Sequence, residues 1–199
     1  MKSDFFKQRP KVIITLIIIL FAGTIITAFF PSLGRQLVLD SASISAPQKW
    51  YQFITYPLVT NGLINWLVSA ITLYLFGQVA ESYLSRRDLI IILLASTILG
   101  GVSFAVFNGF KAALSSPGFI GWGLGSVAIV LGIRNWYTNE SIERAIVIFC
   151  IFLVIWQIAS FNPPVFFAQC VVMAFAALWV AIRYKKTSDD IPNIENFGK

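Results

Sequence analysis

The chain has 199 residues, of which 57% are apolar and only 12% charged, with a net charge of +6 and a mean hydropathy of +0.78. A soluble domain of this size does not carry so little charge, so a lipid bilayer is the expected surrounding. The chain has no histidine and two cysteines, Cys150 and Cys170; this rules out imidazole acid–base chemistry, and neither a metal nor any other cofactor is expected.

Residues 1–11 read as a basic leader carrying Lys2, Lys7, Arg9 and Lys11. The apolar run that follows, near 12–30, is longer than a cleaved signal's core of about 7 to 15 residues, and its exit at Thr27-Ala28-Phe29-Phe30-Pro31 has no small-x-small cleavage site. It reads as a retained first span. Five further stretches, near 61–80, 88–107, 118–133, 142–160 and 163–183, reach or nearly reach the length that crosses about 30 Å of hydrocarbon at about 1.5 Å per residue. The fourth is short, as befits a helix that starts below the headgroups among its neighbours. The whole is expected to be an all-α polytopic bundle of six transmembrane helices, spanning residues 12–183, with residues 187–199 as a polar tail.

The connection from Pro31 to Thr60 mixes Leu33, Leu37, Val38, Leu39 and Ile44 with small polar residues, then supplies Trp50, Tyr51, Phe53 and Tyr56. Such aromatics settle at the headgroup boundary, so this connection either lies partly in the outer leaflet or forms an outer loop with an aromatic belt. In the second span Asn61, Asn65, Ser69, Leu73, Gly77 and Glu81 recur every four residues and so share one helix face. A polar stripe in hydrocarbon is expected to face the bundle interior. Glu81, at the end of the stripe, reads as a helix-end anchor for Arg86, Arg87 or the following loop rather than as part of an ion path. Gly100, Gly101, Gly121, Gly123, Gly125 and Gly132 predict close helix approach in the third and fourth spans. Cys150 and Cys170 both fall within spans and read as packing residues.

Orientation follows from the basic residues between spans. With the N-terminus cytoplasmic, the inside carries Lys2, Lys7, Arg9, Lys11, Arg86, Arg87, Arg134, Arg144, Arg183, Lys185, Lys186 and Lys199, and the outside only Arg35, Lys49 and Lys111. Both termini are therefore expected inside. This bias accounts for the positive charge without nucleic acid, which is not an expected partner.

Taken together, the long first outer loop, Thr55-Tyr56-Pro57 leading into the second helix, Gly77-xxx-Glu81 at its end, and Gly121-Trp122-Gly123-Leu124-Gly125-Ser126 in the fourth resemble the rhomboid intramembrane proteases over roughly residues 30–183. In active rhomboids a serine of a Gly-x-Ser-Gly motif in the fourth helix attacks the substrate, a histidine of the sixth takes its proton, and a histidine and an asparagine of the second support the oxyanion. Registered on the resemblance, those functions fall elsewhere in chemical type. The outer histidine position falls on Thr60, the oxyanion histidine on Asn65, its asparagine on Ser69, and the serine on Gly123 or Gly125. The base falls on Gln169, with Val171, Val172 and Ala176 for the glycines around it. Gly77, Glu81 and Gly121 remain as structural positions.

The resemblance thus implies a rhomboid-like pseudoprotease that binds transmembrane segments of other proteins, among membrane lipids, without cleaving them. Asn65 and Gln169 could bond substrate backbone or neighbouring helices. An atypical serine endopeptidase is the alternative, with Ser126 as nucleophile and Lys111 as the only available base; Ser126 otherwise bonds its own helix. A small-solute transporter or channel is the second alternative, although the polar seam ends at Glu81. The compact core and short tail fit a bacterial inner membrane.

Overall fold

In the computed structural model the described residues are 11–40, 46–60, 62–111, 113–115, 118–134, 155 and 161–184. Most of the leader, the stretch 142–160 expected to be the fifth span except residue 155, and the tail lie outside them. Seven α-helices, two short 3-10 turns (Pro47–Lys49 and Tyr56–Leu58) and one two-stranded ladder are described: α1 (Lys11–Phe29), α2 (Pro31–Leu37), β1 (Leu39–Asp40), α3 (Gln52–Thr55), α4 (Leu63–Tyr83), α5 (Arg86–Phe107), β2 (Ala113–Leu114), α6 (Gly118–Arg134) and α7 (Pro163–Arg183). Four of these, α1, α4, α5 and α7, are long and apolar enough to cross a bilayer, and α6 is a shorter apolar helix. The described spans thus form where the apolar stretches predict them, because a helix satisfies its own backbone groups where no water can.

The ends are written locally. Ser85 precedes α5 and its hydroxyl accepts the amide of Asp88 at 3.2 Å, closing one of the helix's unpaired amides. At the other end of α5, Gly109 takes a left-handed φ of 60°, and the amides of Gly109 and Phe110 return to the carbonyls of Val106 and Ala105. This is a Schellman ending, which a glycine enters without penalty. Asn162 caps α7 through Val165, with Pro163 and Pro164 filling the first turn where no amide is needed.

α6 packs against α4, α5 and α7, and α5 against α7. α1 lies on α4, whereas α4 and α5 hardly meet although they are neighbours in sequence. The main core joins Leu73 and Phe76 of α4, Leu89 and Ile92 of α5, Leu124 and Val127 of α6 and Ala176 and Val180 of α7, with Ile13 and Leu20 of α1 closing one side.

A second, smaller core receives the outer connection. Leu39, Phe53 and Tyr56 pack with Phe104, Leu114, Phe119, Ala168 and Val172. Tyr56 is wholly buried and its hydroxyl donates to the carbonyl of Thr97 at 2.9 Å. β1 pairs antiparallel with β2, Leu39 facing Leu114 and Asp40 facing Ala113. Trp50 and Tyr51 stay exposed, as expected of boundary aromatics, but Phe53 and Tyr56 go inward. The difference has a plain cause: the glycine at 101 leaves a gap on α5 which Leu39, Phe53 and Tyr56 fill, and an interior carbonyl satisfies the phenol.

Candidate functional site

The stripe along α4 splits into two environments. Its lower part is interior: Leu73 and Gly77 are buried and Glu81 half-buried. Its upper part is not, since Asn65 is exposed and Ser69 half-buried, contrary to the expectation of an inward polar seam. The reason is the weak packing of α4 on α5, which leaves the outer half of α4 with Leu63, Ile64, Leu67 and Ile71 exposed as well. Thr60, just before α4, is buried and accepts the hydroxyl of Thr24 of α1 at 3.2 Å.

At the lower end of the stripe, Gly77 and Glu81 act together on α1. A side-chain carbon at position 77 would lie 2.6 Å from Ile13, so the glycine is what lets α1 seat against α4. One turn on, the Glu81 carboxylate accepts the amides of Val12 at 2.9 Å and Ile13 at 3.1 Å. It therefore caps the first turn of α1, where a negative charge also meets the positive end of the helix dipole. Its partner is α1 rather than Arg86, Arg87 or the following loop.

α6 crosses its neighbours through small residues. Gly121 lies against Thr72 of α4, at 2.8 Å from where a side-chain carbon would stand. A side-chain carbon at position 123 would collide with the Ser96 hydroxyl of α5 and come within 3.3 Å of Val172 of α7. At position 125 it would lie 3.2 Å from the ring of Phe76, itself buried in the core. Both candidate serine positions are thus points of helix contact whose side-chain space neighbours have filled.

Ser126 is buried and donates its hydroxyl to the carbonyl of Gly123 at 2.8 Å. Lys111 is exposed in the turn that leaves α5. Gln169 is buried on α7 one turn before Val172, and an amide cannot take a proton near neutral pH. The described carboxylates lie elsewhere: Asp40 pairs with Lys49 in the outer connection, and Glu81 and Asp88 belong to the opposite end of the bundle. Among the described residues no cluster of histidine, cysteine, aspartate or glutamate could hold a metal, and Cys170 is a free thiol. Gly123 thus meets Ser96 of α5 and Val172 of α7 at one helix crossing, and among the described residues no histidine or carboxylate stands beside the Ser126 hydroxyl.

Two groups escaped the sequence reading. Ser96, wholly buried with an unpartnered hydroxyl, was legible only as one of three hydroxyl residues, with Thr97 and Ser103, in an apolar helix. Asp88, 4% exposed, accepts the hydroxyls of Ser85 and Tyr184, each at 2.7 Å, and lies 3.4 Å from Arg183. Its signal was the Ser-x-x-Asp spacing at the start of α5.

No curated protein matches this chain. The Rhomboid domain matches residues 47–186, a span that runs from the outer connection through α7 and includes Thr60, Asn65, Ser69, Gly123, Gly125 and Gln169; the chain, an integral multi-pass membrane protein, belongs to the rhomboid family.

Proposed function

We propose that this protein is a rhomboid without peptidase activity, which holds transmembrane segments of partner proteins in the plane of the bilayer and leaves them intact. The observation that carries the reading is the filling of the serine positions: Ser96 and Val172 take the space beside Gly123, and Phe76 that beside Gly125. A nucleophile there would need room for its own oxygen, for the attacked carbonyl and for a base. The close contacts at both positions, and the absence of a carboxylate or histidine beside them among the described residues, support this reading. The bacterial inner membrane, with both termini cytoplasmic, is the setting that the basic residues and the compact core favour.

The surface for capture is the outer half of α4. Its exposed apolar side chains fit a neighbouring helix, and Asn65 and Ser69 place an amide and a hydroxyl on the face that a polar or small position on it would meet, interhelical hydrogen bonds being worth about 0.6 to 2 kcal/mol in a bilayer. To test this, the full-length protein is co-reconstituted with a single-span reporter carrying one polar residue mid-span. The reporter is expected to co-purify at its full length, and Asn65→Leu with Ser69→Leu to reduce its recovery several-fold while the bundle's melting is unchanged. A cleaved reporter, or recovery indifferent to both substitutions, contradicts the reading.

A further inference from the structure

We propose that the end of the bundle where α1 begins binds a phosphate group through Arg86, Arg87 and Arg183, and that its source is the headgroup of an anionic phospholipid. Two hydrogen bonds and one ion pair build the place. The amide of Ser85 donates to the Tyr184 hydroxyl at 2.9 Å, that hydroxyl donates to Asp88 at 2.7 Å, and Arg183 reaches Asp88 through Nε at 3.4 Å. The start of α5 is thereby fastened to the end of α7, and the arginines flanking Ser85 and Tyr184 share one edge. Arg86 and Arg87 directly follow Ser85 and Arg183 directly precedes Tyr184, while the two carboxylates described at this end are engaged, Asp88 by Ser85 and Tyr184 and Glu81 by the amides of α1. Arg86 and Arg87 are exposed and form no ion pair among the described residues.

Membrane topology alone requires only that basic residues lie on this side. It does not require them in the first turn of a helix, where the dipole disfavours cations, nor beside a third cation held in place by Asp88. An anionic group offsets both costs, and arginine's planar fork matches phosphate oxygens two at a time. The lipid source is argued by what lies below the arginines. Arg86, Ile90, Leu94 and Ile98 follow one another at four-residue spacing and all are exposed, so a cation stands over an apolar stripe on one face of α5. On α7, Leu178 and Ile182 are exposed next to Arg183. A headgroup on the arginines would place its acyl chain along these side chains.

The test uses the full-length protein in a neutral detergent, with its thermal unfolding followed on addition of phosphatidylglycerol, phosphatidylcholine or inorganic phosphate. Phosphatidylglycerol is expected to raise the midpoint by mass action, phosphatidylcholine to leave it near its starting value, and Arg86→Gln with Arg87→Gln to remove most of the rise. Arg183 is left in place because it also holds Asp88, and both substituted arginines are exposed, so the variant's midpoint without lipid reports that it is folded. An equal rise with phosphatidylcholine, or a full rise in the double variant, overturns the site. A rise reproduced by inorganic phosphate alone overturns the lipid assignment.

Discussion

At position 123 any side chain would have to displace Ser96, whose own Cβ stands 3.0 Å from where the new carbon would lie. Gly123→Ala is accordingly expected to destabilise the protein by about 1–3 kcal/mol, the usual cost of overpacking a filled core, read as a lower midpoint in detergent unfolding. Ser96→Ala is expected to behave in the opposite way. It removes a buried hydroxyl that has no partner, and an unsatisfied buried polar group costs roughly 1–3 kcal/mol, so the variant should be at least as stable as the parent; a clear loss of stability would mean that the hydroxyl has a role. Restoring the family's chemistry by Gly125→Ser with Gln169→His is expected to yield no activity toward a transmembrane substrate, since the ring of Phe76 keeps the space. None of this was legible in the sequence. The absence of histidine could be read there, but that Ser96, Val172 and Phe76 pack beside Gly123 and Gly125 depends on side chains from three other helices.

The elements are fastened chiefly at one end. Glu81 caps α1, Gly77 seats Ile13, and Asp88 with Tyr184 joins α5 to α7, all at the end where α1 begins, whereas the outer half of α4 stands free of α5. Glu81→Gln keeps a weaker acceptor and loses the charge on the helix end, at a cost of about 0.5–2 kcal/mol. It should speed amide hydrogen exchange at Val12 and Ile13 before that of α4; unchanged exchange in the first turn of α1 would contradict the capping role. The sequence marked Glu81 as an anchor because a carboxylate at a helix end needs a partner. It could not name α1 as that partner, since nothing local links residues so far apart in the chain. The five described spans were legible for the opposite reason: length and apolarity in a continuous run are local properties. The outer connection was legible only as aromatic, because the destination of Phe53 and Tyr56 depends on the gap beside Gly101 of α5.

At the scale of the whole molecule, the chain belongs to the rhomboid family and packs its outer connection into the bundle, and the proposal that it lacks peptidase activity rests on the close packing around Gly123 and Gly125. Stability and catalysis compete for the same space in such a site, because a nucleophile and its base need a hydrated cavity that close helix packing removes. Here the glycine-bearing α6 is packed into the centre, and the exposed face has moved to the outer half of α4. Whether an activated serine remains is decided by treating the folded protein with a fluorophosphonate beside a Ser126→Ala control. No serine-dependent labelling is the result expected; labelling that the control abolishes would contradict the proposed lack of peptidase activity and make Ser126 a nucleophile after all.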